Sequence, residues 1–368
     1  SGVRKAGAAR GRMRGDKEEL TFGERLARVV AEKESMLVVG IDPRLERLPG
    51  PVLDASRRLY GESWEGAGNA LLRFGQSVVE AVAPYAVAVK LQIAFYEMYG
   101  WWGLEAYAQI AAYARELGLM VIGDIKRGDI ASTAGAYARA HLSEVPLPSG
   151  RLIPALLNAD AVTINPYFGS DGIIPFLAEA RSHGRGVFIL VRTSNPSARE
   201  LQDLRIEGTS ELVWERVARQ VREWSAVAPV DAGSGDGTAE ATVAPGAKDG
   251  AGGAASEERK GEAWSSVGAV VGATYPEDLE RARELLPNHW ILVPGYGAQG
   301  ATARDAVRAC RPGSSLGALV NASRSVIYAY EDHRFMQERK PSQWAGACAD
   351  AARAARDELW AAGVSTRE

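Results

Sequence analysis

Leu119-Met-Val-Ile-Gly-Asp-Ile-Lys-Arg-Gly-Asp-Ile-Ala-Ser-Thr133 is the stretch on which the reading of this chain turns. Its apolar run, Leu119 to Ile122, has the length and flanks of a buried strand. The run delivers Asp124 and Lys126 at its end, and on an extended chain positions two apart share a face. Asp129 lies beyond the strand, where Gly128 allows a turn ahead of a helical pattern from Ile130 to Leu142. Charges at a strand end are commonly a solvated edge. Here they follow a strand whose pattern says it is buried, and ionised groups beside a core need partners. A lysine flanked by carboxylates is held charged. That makes the ammonium a candidate proton donor, and the carboxylate a group able to repel an anionic part of a ligand.

The alternation of short apolar strand and helix continues in both directions. Strands are expected at 36–41, 85–91, 161–166, 186–191, 267–271, 290–293 and 317–320. Helical patterns fill roughly 64–83, 101–117, 172–183, 209–226, 276–286, 301–310 and 323–331. Eight strands, each followed by a helix, predict a single-domain (β/α)8 barrel. A dinucleotide-binding sheet would want Gly-x-Gly-x-x-Gly after its first strand, and Gly40-Ile-Asp-Pro-Arg44 offers none. Residues 1–20 read as a disordered basic tail without the apolar stretch of a secretory signal, and 21–368 as the barrel. Within the barrel, residues 228–262 carry almost no large apolar side chains and read as a flexible, low-complexity insertion.

Composition narrows the partners. The 368 residues are 46% hydrophobic and 24% charged, the balance of a globular protein. A net charge of −3 gives no electrostatic case for nucleic acid. No apolar run reaches the roughly 18 residues of a membrane span. Cys310 and Cys348 lack metal or disulfide-framework spacing and read as reduced thiols of a cytoplasmic protein. The four histidines are scattered, so no metal site is expected.

Barrel enzymes carry their sites at the C-terminal ends of the strands. Those ends collect Asp42, Lys90, Asp124, Lys126, Asn165, Thr193-Ser194, the loop Pro294-Gly-Tyr-Gly-Ala-Gln-Gly300, and Arg324. The Gly-rich loop, leading into a helix, suits an anion, and Arg324 after the eighth strand can grip a phosphate bidentately. Asn165-Pro166 also has the simpler reading of a strand terminator. With no His or Cys in the set, the chemistry is expected to rest on fixed charges acting on a polar anionic ligand rather than on a nucleophilic triad or a transition metal.

Asp124-Ile-Lys-Arg-Gly-Asp-Ile130 closely resembles the Asp-x-Lys-x-x-Asp signature of the orotidine 5′-phosphate decarboxylase family. Ala94-Phe-Tyr-Glu97 after the second strand is similar to its bacterial branch. The resemblance implies that Lys126 protonates C6 of the pyrimidine after carbon dioxide leaves, with Asp124 against the substrate carboxylate. Lys90, in Val89-Lys-Leu-Gln-Ile-Ala-Phe-Tyr-Glu97, would complete the charge network. Asp42 would bind the ribose, Ser194 of Thr193-Ser-Asn-Pro196 the pyrimidine edge, and Gln299 and Arg324 the phosphate. Asp129 and Thr133 match positions inserted into a neighbouring subunit's site, which implies a homodimer. Sugar-phosphate lyases of the same superfamily share the signature but use magnesium, and a silent nucleotide-binding barrel would be expected to lose a network charge. The implied reaction is orotidine 5′-phosphate to UMP and carbon dioxide, the last step of UMP synthesis in pyrimidine biosynthesis, without a cofactor.

Overall fold

The computed structural model describes residues 20–227, 263–297 and 301–365. The expected tail up to residue 19, the insertion at 228–262 and Gln299 therefore lie outside the described residues, save Leu20 at the edge of the tail. Eight parallel strands close into a barrel. They are β1 (Leu37–Ile41), β2 (Ala88–Gln92), β3 (Met120–Arg127), β4 (Ala161–Ile164), β5 (Gly186–Arg192), β6 (Val267–Val271), β7 (Ile291–Pro294) and β8 (Ala318–Ala322). Each pairs with its sequence neighbours, and β1 closes the ring on β8 through Leu37–Val320 and Val38–Asn321. The strands are buried along nearly their whole length, as the continuous apolar runs require when helices cover the outside.

One mouth of the barrel is shut. Helix Phe22–Lys33 starts from a Thr21–Glu24 capping box and turns Phe22, Leu26 and Val30 inward. Phe22 meets Phe188 edge-on, with ring centroids 6.2 Å apart, while Trp290 Nε1 donates to the Gly23 carbonyl at 3.1 Å. Trp264, Trp290, Leu292 and Leu319 complete this apolar plug at the N-terminal ends of the strands. A polar ligand is thereby left only the opposite mouth.

Several boundaries differ from the sequence expectation. The second strand begins at Ala88 rather than Tyr85, because the Tyr85 and Ala86 amides are still bonded to the Val82 carbonyl at the end of the preceding helix. The third strand runs on to Arg127, with an irregular register between Gly123 and Arg127, so Asp124 and Lys126 stand inside it. The fourth strand stops at Ile164. The helix expected at 209–226 begins at Val213. Those expected at 301–310 and 323–331 shorten to single turns, Ala303–Ala306 and Arg324–Ile327, each followed by a 3-10 turn.

Helix Gly50–Tyr60, a small hairpin pairing Glu144–Pro146 with Leu152–Pro154, and the final helix Trp344–Ser365 were not foreseen. The last of these seats Trp344 against Phe74 and Tyr330. No helix among the described residues is long and apolar enough to cross a membrane. Both cysteines are buried, and neither forms a disulfide among the described residues.

Candidate active site

The open mouth holds a cavity of about 430 Å³. Asp42, Lys90, Asp124, Lys126, Ser194 and Arg324 all line it, so six of the nine site residues expected from sequence converge on one space. At its floor Asp124 is almost fully buried and saturated with donors. Lys90 Nζ lies 2.6 Å from Oδ2 and Lys126 Nζ 2.5 Å from Oδ1. Gln92 Nε2 donates to Oδ2 at 2.9 Å and Thr163 Oγ1 to Oδ1 at 2.9 Å. Burial alone would raise the Asp124 pKa, but the Lys90 and Lys126 ammoniums override it and hold the carboxyl well below the usual carboxylate range. Burial would likewise strip the proton from Lys90, yet Asp124 and Asp42 raise its pKa instead. The result is a fixed carboxylate–ammonium array on the cavity floor, with its Lys90–Asp124 half buried.

The two lysines are not equivalent. The Lys90 side chain is 7% exposed, whereas that of Lys126 is 44% exposed. Lys90 is thus seated as a buried counterion to Asp124, while Lys126 leaves its ammonium open to the cavity. Above them Asp42 follows β1, and its buried Oδ1 has no hydrogen-bond partner among the described residues, so it is available to a ligand hydroxyl.

At the opposite wall Gly295 and Gly297 adopt φ of 100° and 74°, values that favour glycine. They let the backbone after β7 curl round the cavity beside Ser323 and Arg324. Arg324 makes no ion pair among the described residues and projects into solvent-accessible space. Gly40 on β1 leaves the space that Ser323 occupies. A Cβ at that position would stand 1.9 Å from Ser323 Oγ.

A cavity with anion-accepting groups at one end and an ionised Lys–Asp–Lys array at the other fits a polar, anionic substrate. The family model described as "Orotidine 5'-phosphate decarboxylase / HUMPS family" matches residues 35–337. Orotidine 5'-phosphate decarboxylase of Caldicellulosiruptor saccharolyticus is 36% identical over 317 residues, covering 85% of this chain and 92% of that protein. The enzyme of the same name from Deinococcus radiodurans is 37% identical over 339 residues, covering 92% and 97%. The chain belongs to this family. Its barrel also superposes on the structure of Leishmania donovani OMP decarboxylase with a TM-score of 0.63, at 26% identity, across 94% of this chain and 99% of that one.

Within this decarboxylase-family barrel, Asp129 and Thr133 do not reach the cavity of their own chain. Asp129 Oδ1 is turned back on the Ile130 amide at 2.8 Å, and Thr133 is exposed on the following helix. Asn165 does not line the cavity either. Its Oδ1 accepts from the Tyr167 amide at 3.0 Å, a turn-closing role that bears out the strand-terminator reading. Two contributors were missed. Gln92 stands two positions after Lys90 and therefore on the same face of β2. Thr163 is the one polar residue inside an otherwise apolar β4, and that interruption was the available signal. Among the described residues no three His, Cys, Asp or Glu side chains cluster as metal ligands.

Proposed function

We propose that this chain decarboxylates orotidine 5′-phosphate to UMP and carbon dioxide, the last step of UMP synthesis, with Lys126 as proton donor. The observation that carries the reading is the carboxylate of Asp124 held ionised between two ammoniums at the cavity floor. The C6–carboxylate bond breaks and leaves its electron pair on C6. The partly exposed Lys126 ammonium stabilises that charge and then delivers its proton. Asp124 stays anionic and disfavours the substrate carboxylate in the ground state. Carbon dioxide, being neutral, escapes the repulsion. In this reading Asp42 accepts from a ribose hydroxyl, Ser194 meets the pyrimidine edge, and Gln299 and Arg324 hold the phosphate. Phosphate binding, remote from the reacting carbon, then serves to hold the base over Lys126.

The active form is a homodimer in which Asp129 and Thr133 complete the partner's site. Supporting this, both follow the C-terminal end of β3, yet neither lines its own cavity. Phe168 packs beside Gly128 and Asp129, and Ile130, Tyr167 and Phe168 are 48%, 77% and 50% exposed, an apolar surface that solvent disfavours. Residues 21–368 would then be one barrel domain with a low-complexity insertion at 228–262. Two buried cysteines that form no disulfide fit a reducing cytoplasm.

The test is loss of orotidine 5′-phosphate ultraviolet absorbance with purified protein, with and without EDTA. EDTA-insensitive conversion to UMP is expected. No conversion, or a requirement for magnesium, would move the chain to the sugar-phosphate side of its superfamily or to a silent nucleotide-binding barrel.

A further inference from the structure

The loop after β5 contains a chain of hydrogen bonds whose direction is fixed at one end by the backbone. The Thr193 N–H can only donate, and at 2.9 Å it meets Gln202 Oε1. That choice orients the Gln202 amide, so its Nε2 donates to Thr193 Oγ1 at 2.7 Å. The hydroxyl, having accepted there, passes its own proton to Asn195 Oδ1 at 2.7 Å. Asn195 lines the cavity next to Ser194, and Gln202 does not. With Oδ1 engaged on the Thr193 side, what Asn195 has left to offer is Nδ2 and its two donors.

The platform under this relay is stiff. Arg192 and Thr193 meet Asp203 and Gln202 as successive rungs. Arg192 is buried, pairs with Asp278 at 2.9 Å, and makes a charge contact with Asp203 at 2.7 Å. Ser194 is seated on Gly272, where a Cβ would stand 2.9 Å from the serine Cβ. Asn195 then enters the 3-10 turn Pro196–Glu200, whose proline fixes the chain direction.

We propose that Asn195 is a specificity-determining residue for the pyrimidine. The Gln202–Thr193 relay holds its amide so that it donates to a carbonyl oxygen on the base edge and rejects an amino group there. This rests on the reading that the Ser194 side of the cavity takes the base. Asn195 is the group that touches the ligand, and Gln202 is a positioning residue acting through Thr193.

The experiment compares binding of UMP and CMP, which differ at the base edge by a carbonyl against an amino group, to three full-length proteins by calorimetry. Wild type is expected to prefer UMP. Asn195→Asp exchanges the donors for acceptors and should cut the UMP:CMP preference by roughly tenfold or more. Gln202→Glu still accepts from the Thr193 amide but cannot donate, so it draws the Thr193 proton to itself and releases Asn195. Its preference should fall several-fold while its melting temperature stays near wild type. Loss of loop structure alone would weaken both nucleotides together and leave the ratio intact. An unchanged ratio in Asn195→Asp, with wild type turning over orotidine 5′-phosphate, overturns the proposal. A wild type that neither binds UMP nor turns over that substrate overturns the functional reading as well.

Discussion

Lys126 Nζ meets Asp124 Oδ1 at 2.5 Å from a backbone whose φ is 46°. Such a left-handed conformation costs a non-glycine residue about 1–2 kcal/mol, and it persists only where the surroundings impose it. Here the Lys126 amide is tied to Thr163 Oγ1 at 3.1 Å, and the Arg127 carbonyl to the Asn165 amide at 2.8 Å. The neighbouring strand thus holds the lysine out of a regular ladder, with its ammonium at the exposed side of the carboxylate.

Removing that ammonium should separate binding from chemistry. In Lys126→Ala, kcat is expected to fall by at least about 10³-fold, while UMP affinity changes only a few-fold. Steady-state rates paired with calorimetric UMP titration check it. Near-normal turnover would remove Lys126 as the donor.

The same position predicts an inversion in stability. Alanine keeps the strained backbone, whereas glycine relaxes it. Lys126→Gly should therefore be more stable than Lys126→Ala by about 1 kcal/mol, against the usual order of the two residues. Urea midpoints of the two inactive variants measure this, and an alanine variant that is the more stable would contradict the strain.

Asp124→Asn leaves the buried Lys90 without its counterion, a loss of about 3–5 kcal/mol. The sign of its pH dependence follows from the depressed native pKa of Asp124. Its contribution is full above the unfolded value of about 3.9 and is lost as pH falls below it. Lys90, raised in the folded state, contributes fully below about 10.4 and loses that contribution as pH rises further. The gap in unfolding free energy between wild type and Asp124→Asn should thus shrink from pH 7 to pH 3. A gap that stayed constant would rule out the ion pair as its source.

Ile130→Glu adds a charge to an exposed apolar face beside Asp129. On the proposed homodimer, it is expected to give monomers in light scattering and to lower kcat/KM by about 10²-fold or more, because each site would lose its partner's groups. Monomeric protein with full activity would show that the sites are complete in one chain.

Much of this was legible in the sequence. The barrel followed from eight apolar runs, and Asp42, Lys90, Asp124, Lys126, Ser194 and Arg324 from their places at strand ends. Legibility failed where geometry departs from a regular element. Face alternation brought Asp124 and Lys126 together, but the left-handed turn that aims the lysine comes from contacts with Thr163 and β4, far away in sequence. Gln92 and Thr163 belong to the site only because β2 and β4 flank β3. Helix Trp344–Ser365 has small residues on its buried face, among them Ala347, Ala351, Ala352 and Ala355, and so lacks the contrast that marks an amphipathic helix.

The pairing of β1 with β8 also sets an order of assembly. Arg44 bonds to the Tyr328 hydroxyl across a separation of 284 residues, so ring closure must wait for nearly the whole chain. Lys90, Asp124 and Lys126 emerge from the ribosome early and on adjacent strands, while Arg324 arrives last. Until it does, β1 presents an open edge of the kind that invites pairing with another chain. A nascent polypeptide halted before residue 318 would therefore carry Lys90, Asp124 and Lys126 without Arg324, and with its β1 edge open to pairing with another chain.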